Sequence, residues 1–323
     1  MKNSKRNQLI SITVLVVIVL AGGIYLSANA DLLHSLSKLS AATVVMLIIF
    51  RTLFVATNGL FLQAFAAKFG VDLTVTEWFG LAVVTAMGNY ITPFSGGMVI
   101  RATYLKRKHA FPYTQFLILL TSNYLVAFWV IGVVGLVTLM GFIPPTPYFW
   151  PIAFLFVGVI AGVSLLVVMP TVHLPTDHRL SRIINNALEG WRVVKSDKNL
   201  LVRLVIYTLI NILLNGVSFW LAYQALDFSV TFAAALLISL MAVFSIFLNV
   251  TPGNLGIQEA VVGLSSSLLG MGVGEGLVVA LIVRATTLIP IFILGPIFSY
   301  ILTHRLMSPQ SLEQNDLEEF KVK

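Results

Sequence analysis

Residues 89–102 read NYITPFSGGMVIRA, and residues 249–260 read NVTPGNLGIQEA. Each stretch interrupts a long apolar segment. Each begins with an asparagine, followed by Thr-Pro, by a glycine four residues after the proline and then by one charged residue. Proline and glycine break a helix and release backbone N–H and C=O groups. Because bare hydrocarbon cannot bind those groups, a break at membrane depth must be buried in protein or line a polar cavity.

The composition around these stretches is that of a membrane protein. The 323-residue chain is 58% hydrophobic and 10% charged, with a mean hydropathy of +0.95. A soluble domain has about 25% charged residues, so this chain has too little polar surface to cover a globule. The net charge of +7 falls in loops beside apolar spans, which fits the positive-inside rule and argues against a nucleic-acid partner. The lack of cysteine excludes disulfides and thiolate chemistry.

The hydropathy pattern predicts an all-α polytopic membrane protein with about six full spans and two re-entrant hairpins. The full spans are expected at about 9–28, 41–65, 113–141, 152–169, 204–225 and 275–302. The interrupted segments, about 77–105 and 230–269, have arms too short to cross a hydrocarbon core of about 30 Å. One transmembrane domain is expected over 1–305, with a polar cytoplasmic tail at 306–323. Both termini are expected in the cytoplasm, and the protein in the cytoplasmic (inner or plasma) membrane.

Two segments each allow two interpretations. A basic N-terminus precedes an apolar run over residues 9–26, and Ala-Asn-Ala at 28–30 resembles a signal-peptidase site. The run is longer than the roughly 7–15 residues of a signal peptide, which favours a retained first helix, and cleavage stays open. The basic loop at 179–203 carries apolar residues at helical spacing. It fits either an amphipathic helix on the inner leaflet or a surface helix packed on the bundle.

The two halves of the chain have the same order of elements. Residues 9–141 and 152–302 each read span, span, hairpin, span. The first hairpin is expected to enter the membrane from the inside and the second from the outside. That arrangement is an inverted-topology repeat, in which many secondary transporters build a binding site near the membrane midplane.

Ionisable residues at membrane depth are candidate functional residues, because placing a charge there is costly. Four qualify, and their charges sum to +2: Arg51, Arg101, Glu259 and Arg284. A cavity that holds them would attract an anion. Arg101 and Glu259 occupy equivalent places in the two repeats and are expected to pair with each other. The alternative for each of the four is a structural ion pair or a snorkelling side chain.

The hairpins add polar groups to this predicted site. The returning arm of each hairpin directs its first N–H groups and its positive dipole end towards the midplane, where they suit an anion. Ser95 and Asn254 are expected to cap those arms, and Asn89 and Asn249 to face the cavity. Other polar residues of the spans are expected to bond between helices: Asn58, Asn123, Asn211, Asn215 and Gln258. The hairpin residues assigned to substrate binding are Asn89, Ser95, Gly96, Gly97, Asn249, Asn254 and Gly256.

The interrupted segments are also similar to those of a known family. The residues that carry the resemblance are PFSGGMVIR at 93–101, LKR at 105–107, PGNLGIQEA at 252–260, and Arg284. Over nearly the whole chain the sequence resembles the transmembrane region of lysylphosphatidylglycerol synthases, a family of flippase-like membrane domains. The resemblance implies movement of a lipid with a charged headgroup between leaflets. The soluble synthase domain is expected to be absent. Gln258 stands where family members often have arginine, which leaves the headgroup open.

Three functions follow from these features. The first is a flippase for an anionic or zwitterionic lipid, a phospholipid or a polyprenyl phosphate, with Arg101 and the hairpin arms at the phosphate. Glu259 would take up a proton, coupling transport to a proton or ion gradient, or bind a headgroup amine. The second function is a secondary transporter of a small soluble anion. A lateral opening would favour the lipid, and a cavity closed to the bilayer would favour the soluble anion.

The third function is a membrane partner of a lipid-modifying enzyme, docked through the loop at 179–203. An enzyme is not predicted, because the five histidines lie in loops or at interfaces without metal-ligand spacing and no nucleophile-elbow motif occurs. No cofactor or metal is expected. The expected partners are membrane lipids and, as an open alternative, a second copy of the chain.

Overall fold

The computed structural model describes residues 39–92, 96–168, 185, 189–248 and 251–306. Within these ranges the chain forms α-helices and two short 3-10 helices and contains no strand, so the all-helical class is confirmed. Five of the helices are long and apolar enough to cross a bilayer. The predicted span at 9–28, its cleavage and the polar tail lie outside the described residues.

The helices are numbered along the chain. In order they are α1 (Ala41–Lys68), α2 (Val75–Ile91), α3 (Gly97–His109), α4 (Tyr113–Phe142), α5 (Phe149–Val168), α6 (Lys198–Gln224), α7 (Phe232–Val243), α8 (Ile257–Leu268) and α9 (Val273–Leu306). The 3-10 helices Phe244–Leu248 and Pro252–Asn254 lie between α7 and α8. Helices α1, α4, α5, α6 and α9 fall on predicted spans, and their ends lie within about six residues of the predicted ones.

The interrupted segments are helical hairpins, as predicted. Helix α2 packs against α3, and α7 packs against α8. Helices α2 and α3 have 17 and 13 residues, and α7 and α8 have 12 each. At 1.5 Å per residue they are roughly 18–26 Å long, shorter than a hydrocarbon core of about 30 Å. The side of the membrane from which each hairpin enters stays a prediction.

Glycine allows the close contacts and sharp turns of both hairpins. A Cβ on Gly97, the first residue of α3, would overlap the carbonyl oxygen of Thr85 on α2. The second hairpin turns through Gly253 and Gly256, with φ of 58° and 81°. These values lie in the left-handed region, which glycine adopts without a steric penalty. Asn254, with φ of 55°, shares that conformation, which asparagine tolerates better than most residues.

The contacts between helices are related in the two halves. Helix α1 packs along α6 at the centre of the bundle, α2 packs on α1, and α7 packs on α6. The hairpins cross over, so that α2 contacts α9 and α7 contacts α4. One pair breaks the correspondence, because α8 packs along α9 whereas α3 makes few contacts with α4. The limits of the repeats at 9–141 and 152–302 stay predictions.

The described end of the basic loop packs on the bundle. Residues 189–195 are helical, and Val194 is fully buried. A Cβ on Gly190 would overlap the hydroxyl of Ser122 on α4, so the two helices touch. Asp197 then caps α6 by accepting from the Leu200 N–H and from Lys68, each at 3.0 Å. These bonds lower the pKa of Asp197. The surface-helix interpretation therefore fits this end of the loop.

The contact at Gly97 predicts a stability effect. Gly97→Ala should lower the midpoint of thermal unfolding in detergent, since overpacking a tight contact costs about 1–3 kcal/mol. Gly158→Ala in α5 is the matched control, because its Cβ would meet nothing among the described residues. Alanine is a better helix former than glycine by about 1 kcal/mol, so this variant should match or exceed the wild type. Equal midpoints for the two variants would contradict the close approach of α2 and α3.

Candidate functional site

A cavity of about 430 Å³ lies where the two hairpins meet the long helices. Described residues from every labelled helix except α5 line it. Its polar lining is rich in carboxamides, from Asn58, Asn89, Asn123, Asn211, Asn215, Asn254 and Gln258. The charged residues that the described chain contributes to the lining are Arg51, Arg101 and Arg284.

Arg101 reaches the cavity from α3 and is 8% exposed. Its Nε donates to Thr85 Oγ1 of α2 at 3.0 Å. The two terminal nitrogens make no hydrogen bond within the described residues, and no described carboxylate contacts the guanidinium. A guanidinium has five N–H donors in a planar fork, and among the described residues only the Nε–H of Arg101 has a partner.

Arg51 approaches from α1 and is 6% exposed. Its Nε donates to Thr287 Oγ1 and its Nη1 to Asn215 Oδ1, both at 2.7 Å. Its guanidinium carbon lies 4.2 Å from the ring centroid of Phe54. These neutral partners hold the side chain in place and leave its charge uncompensated by any described carboxylate.

Arg284, unlike the other two, has an acidic partner. Its Nε donates to Glu259 Oε1 in a buried ion pair between α9 and α8. The same guanidinium donates to the carbonyls of Gly253 at 2.8 Å and Asn254 at 3.3 Å. The expected pairing of Glu259 with Arg101 is therefore wrong. Arg284 lies closer to Glu259 because α8 and α9 follow each other along the chain and pack side by side.

The first residue of α3 and the residue before α8 already have partners for their N–H groups. Gly97 N–H donates to Asn89 Oδ1 at 3.0 Å, and Gly256 N–H donates to Glu259 Oε2 at 2.6 Å. Asn254 does not cap α8, because its Oδ1 is buried without a partner among the described residues, while its Nδ2 donates to Ser245 Oγ at 2.7 Å. The prediction that Asn254 caps the arm was wrong, and part of the anion-binding capacity assigned to the hairpin arms is used within the protein.

The structure brings most of the predicted substrate-binding residues to one place. Those that line the cavity are Arg51, Asn89, Arg101, Asn254 and Arg284. The residues that lie behind the lining, at the helix starts, are Gly96, Gly97, Gly256 and Glu259. Ser95 and Asn249 lie outside the described residues. The role of all these residues in binding stays a prediction.

The asparagines of the spans behave in three ways. Asn211 donates to Thr57 Oγ1 at 2.6 Å, and Asn215 binds Arg51, so both bond between helices as predicted. Asn58 instead donates to the carbonyl of Phe54 on its own helix. The Oδ1 of Asn123 is buried without a partner among the described residues.

Sequence reasoning did not assign several polar lining residues to the site, among them Thr85, Tyr90, Tyr124 and Thr287. Spacing could have found the threonines, because Thr85 lies one turn before Asn89 and Thr287 three residues after Arg284. Tyr90 lies next to Asn89 within the first interrupted stretch, whereas no motif marks Tyr124.

The charges of the site suit an anion. Three arginines and one glutamate sum to +2, and the one carboxylate does not line the cavity. Arg51 and Arg101 are therefore the unneutralised cations. Arginine binds phosphate oxygens through parallel N–H groups in a low-dielectric site, where such bonds are strong. Among the described residues no group of histidine, aspartate and glutamate converges as a metal site would require.

The ion pair predicts a coupling between two variants. Arg284→Met and Glu259→Gln should each lower stability by about 3–5 kcal/mol, because each leaves one buried charge unpaired. The double variant should cost less than the sum, since it removes both charges together. The midpoint of thermal unfolding in detergent compares the stability of the two single variants and the double variant. Glu275→Gln at the start of α9 is the control, because it removes a carboxylate that is not part of this ion pair. Additive losses would contradict a direct ion pair.

The family comparison agrees with the motifs. The sequence matches the family model of the lysylphosphatidylglycerol synthase TM region over residues 8–295. No curated protein matches it with significant similarity. The match includes both hairpins and every described residue that lines the cavity. The chain therefore belongs to the family of lysylphosphatidylglycerol synthase transmembrane regions.

Proposed function

We propose that the protein moves lipids with an anionic, phosphate-containing headgroup between the leaflets of the membrane. The observation that carries the proposal is Arg101, which is buried in a cavity and, among the described residues, has no hydrogen bond from its two terminal nitrogens and no carboxylate beside it. A buried cation without an acidic partner is costly, so such a residue at membrane depth marks a binding site for an anion. Membership of a family of membrane domains linked to lipid flipping supports the lipid as the molecule that moves.

The lining favours an anionic headgroup over a zwitterionic one. A headgroup amine would need an acidic partner, and Glu259 was the residue expected to supply it. Both oxygens of Glu259 accept hydrogen bonds within the protein, one from Arg284 and one from the Gly256 N–H. Among the described residues the cavity thus offers two unneutralised guanidiniums and no carboxylate.

The packing around α4 favours a lipid over a soluble anion. Helix α3, which carries Arg101, makes few contacts with α4, whereas α8 packs along α9 in the other half. Apolar side chains of both helices are exposed, among them Val99 on α3 and Leu117 on α4. The loose packing around α4 favours entry of a headgroup from the bilayer while its chains stay in the hydrocarbon.

The test measures lipid exchange in liposomes that contain the purified protein. Phosphatidylglycerol and phosphatidylcholine, each labelled on a chain with a fluorophore near the headgroup, report leaflet exposure through an added membrane-impermeant quencher. We expect faster exchange for phosphatidylglycerol than for phosphatidylcholine. Arg101→Ala should slow it by roughly thirty-fold, the equivalent of about 2 kcal/mol for a charged hydrogen-bond donor.

Arg107→Ala is the matched control, because Arg107 lies on the same helix and is exposed. It should exchange lipid like the wild type. An Arg101→Ala variant that unfolds at the wild-type temperature and exchanges phosphatidylglycerol at the wild-type rate would refute the site. Uptake of phosphate by the liposomes without lipid exchange would instead indicate a transporter of a soluble anion.

A further inference from the structure

Four aromatic side chains form a stack between the cavity and the protein surface. Tyr124 and Phe128 belong to α4, and Phe244 and Phe247 belong to the 3-10 helix after α7. The ring centroids of Phe128 and Phe247 are 5.2 Å apart, those of Phe128 and Phe244 are 6.2 Å apart, and those of Tyr124 and Phe128 are 6.1 Å apart. All three pairs are nearly parallel, with interplanar angles of 12–26°. We call these four residues the aromatic stack.

The aromatic stack begins in the cavity and ends outside it. Tyr124 and Phe128 line the cavity that also holds Arg101. At the other end Phe247 is 70% exposed, and its neighbour Leu248 is also exposed. The aromatic stack therefore provides a continuous apolar surface from the cavity to the exterior of the bundle. The apolar exterior of a membrane-spanning bundle faces the bilayer.

The equivalent contact in the other half of the protein is closed by tighter packing. There α2 meets α9, and a Cβ on Gly80 would overlap the ring of Phe298, while one on Gly295 would overlap the sulfur of Met87. Backbones that approach through glycine cannot separate without losing many close contacts. By contrast α7 and residues 244–248 contact α4 less extensively than α2 contacts α9, and the stacked rings form part of that contact.

The backbone beside the aromatic stack is also suited to movement. Helix α7 ends at Val243, and Phe244–Leu248 continues as a 3-10 helix. Hydrogen bonds in a 3-10 helix have poorer geometry than those in an α-helix, so a shift of this segment breaks weaker bonds. A small shift of Phe244–Leu248 would separate Phe247 from Phe128.

We propose that the aromatic stack is the binding site for a hydrocarbon chain of the transported lipid and that the chain passes where Phe247 separates from Phe128. This inference rests on the proposed function, because it needs a lipid headgroup in the cavity. A headgroup held at Arg101 requires an apolar surface for its chains, and the aromatic stack supplies one that starts within the same cavity.

The test closes the aromatic stack with a reversible cross-link. The chain has no cysteine, so Phe128→Cys together with Phe247→Cys provides the protein's two thiols. A short bifunctional thiol reagent that forms reducible bonds would join the two positions. In liposomes we expect the cross-link to reduce phosphatidylglycerol exchange at least ten-fold and a reductant to restore it. Binding of glycerol 3-phosphate, measured by calorimetry, should not change, because neither residue holds Arg101.

The matched control places the same cross-link in the closed contact, with Phe79→Cys and Phe298→Cys, whose rings lie 5.3 Å apart. That cross-link should leave exchange unaffected, because α2 and α9 are not expected to separate. Full exchange after complete cross-linking of the first pair would overturn the inference and leave the proposed function standing. Loss of glycerol 3-phosphate binding after cross-linking of the first pair would overturn a role of the aromatic stack that is confined to the hydrocarbon chain of the lipid. Absence of exchange by the wild-type protein would refute the proposed function and the inference together.

Discussion

Two helices of this protein stop inside the bundle, and the backbone groups they release must be bound by the protein itself. At the second break Arg284 donates to the carbonyls of Gly253 and Asn254, while Glu259 accepts from the Gly256 N–H. At the first break Asn89 accepts from the N–H of Gly97. Because the hydrocarbon of a bilayer cannot bind the released backbone groups, the shape of both hairpins depends on the side chains of Arg284, Glu259 and Asn89.

The charged residues have different roles because the protein must bind the backbone groups released at the two breaks. Arg284 and Glu259 neutralise each other and hold the second hairpin in its turn. Arg51 and Arg101 are bound by neutral hydroxyl and amide groups, so their charges remain for another molecule. One buried ion pair thus has a structural role, and the cavity beside it keeps a positive charge without a described carboxylate.

The two hairpins pack differently on the long helices. Glycines bring α2 against α9, whereas α3 and α7 leave α4 in looser contact. Small differences at the contacts, glycine on one side and stacked rings on the other, change how closely helices approach. This asymmetry places the aromatic stack and the open side of the cavity next to the same helix.

The sequence alone determined the helical membrane class, five described spans and the two hairpins, because hydropathy and the proline–glycine breaks are local properties of the chain. It also identified the four ionisable residues, since a charge within an apolar run is visible without a structure. The tertiary structure alone decided which of them pair. Arg284 rather than Arg101 meets Glu259, and Thr85, Tyr90, Tyr124 and Thr287 join the cavity, because contacts between helices distant in sequence depend on packing angles that no local pattern encodes.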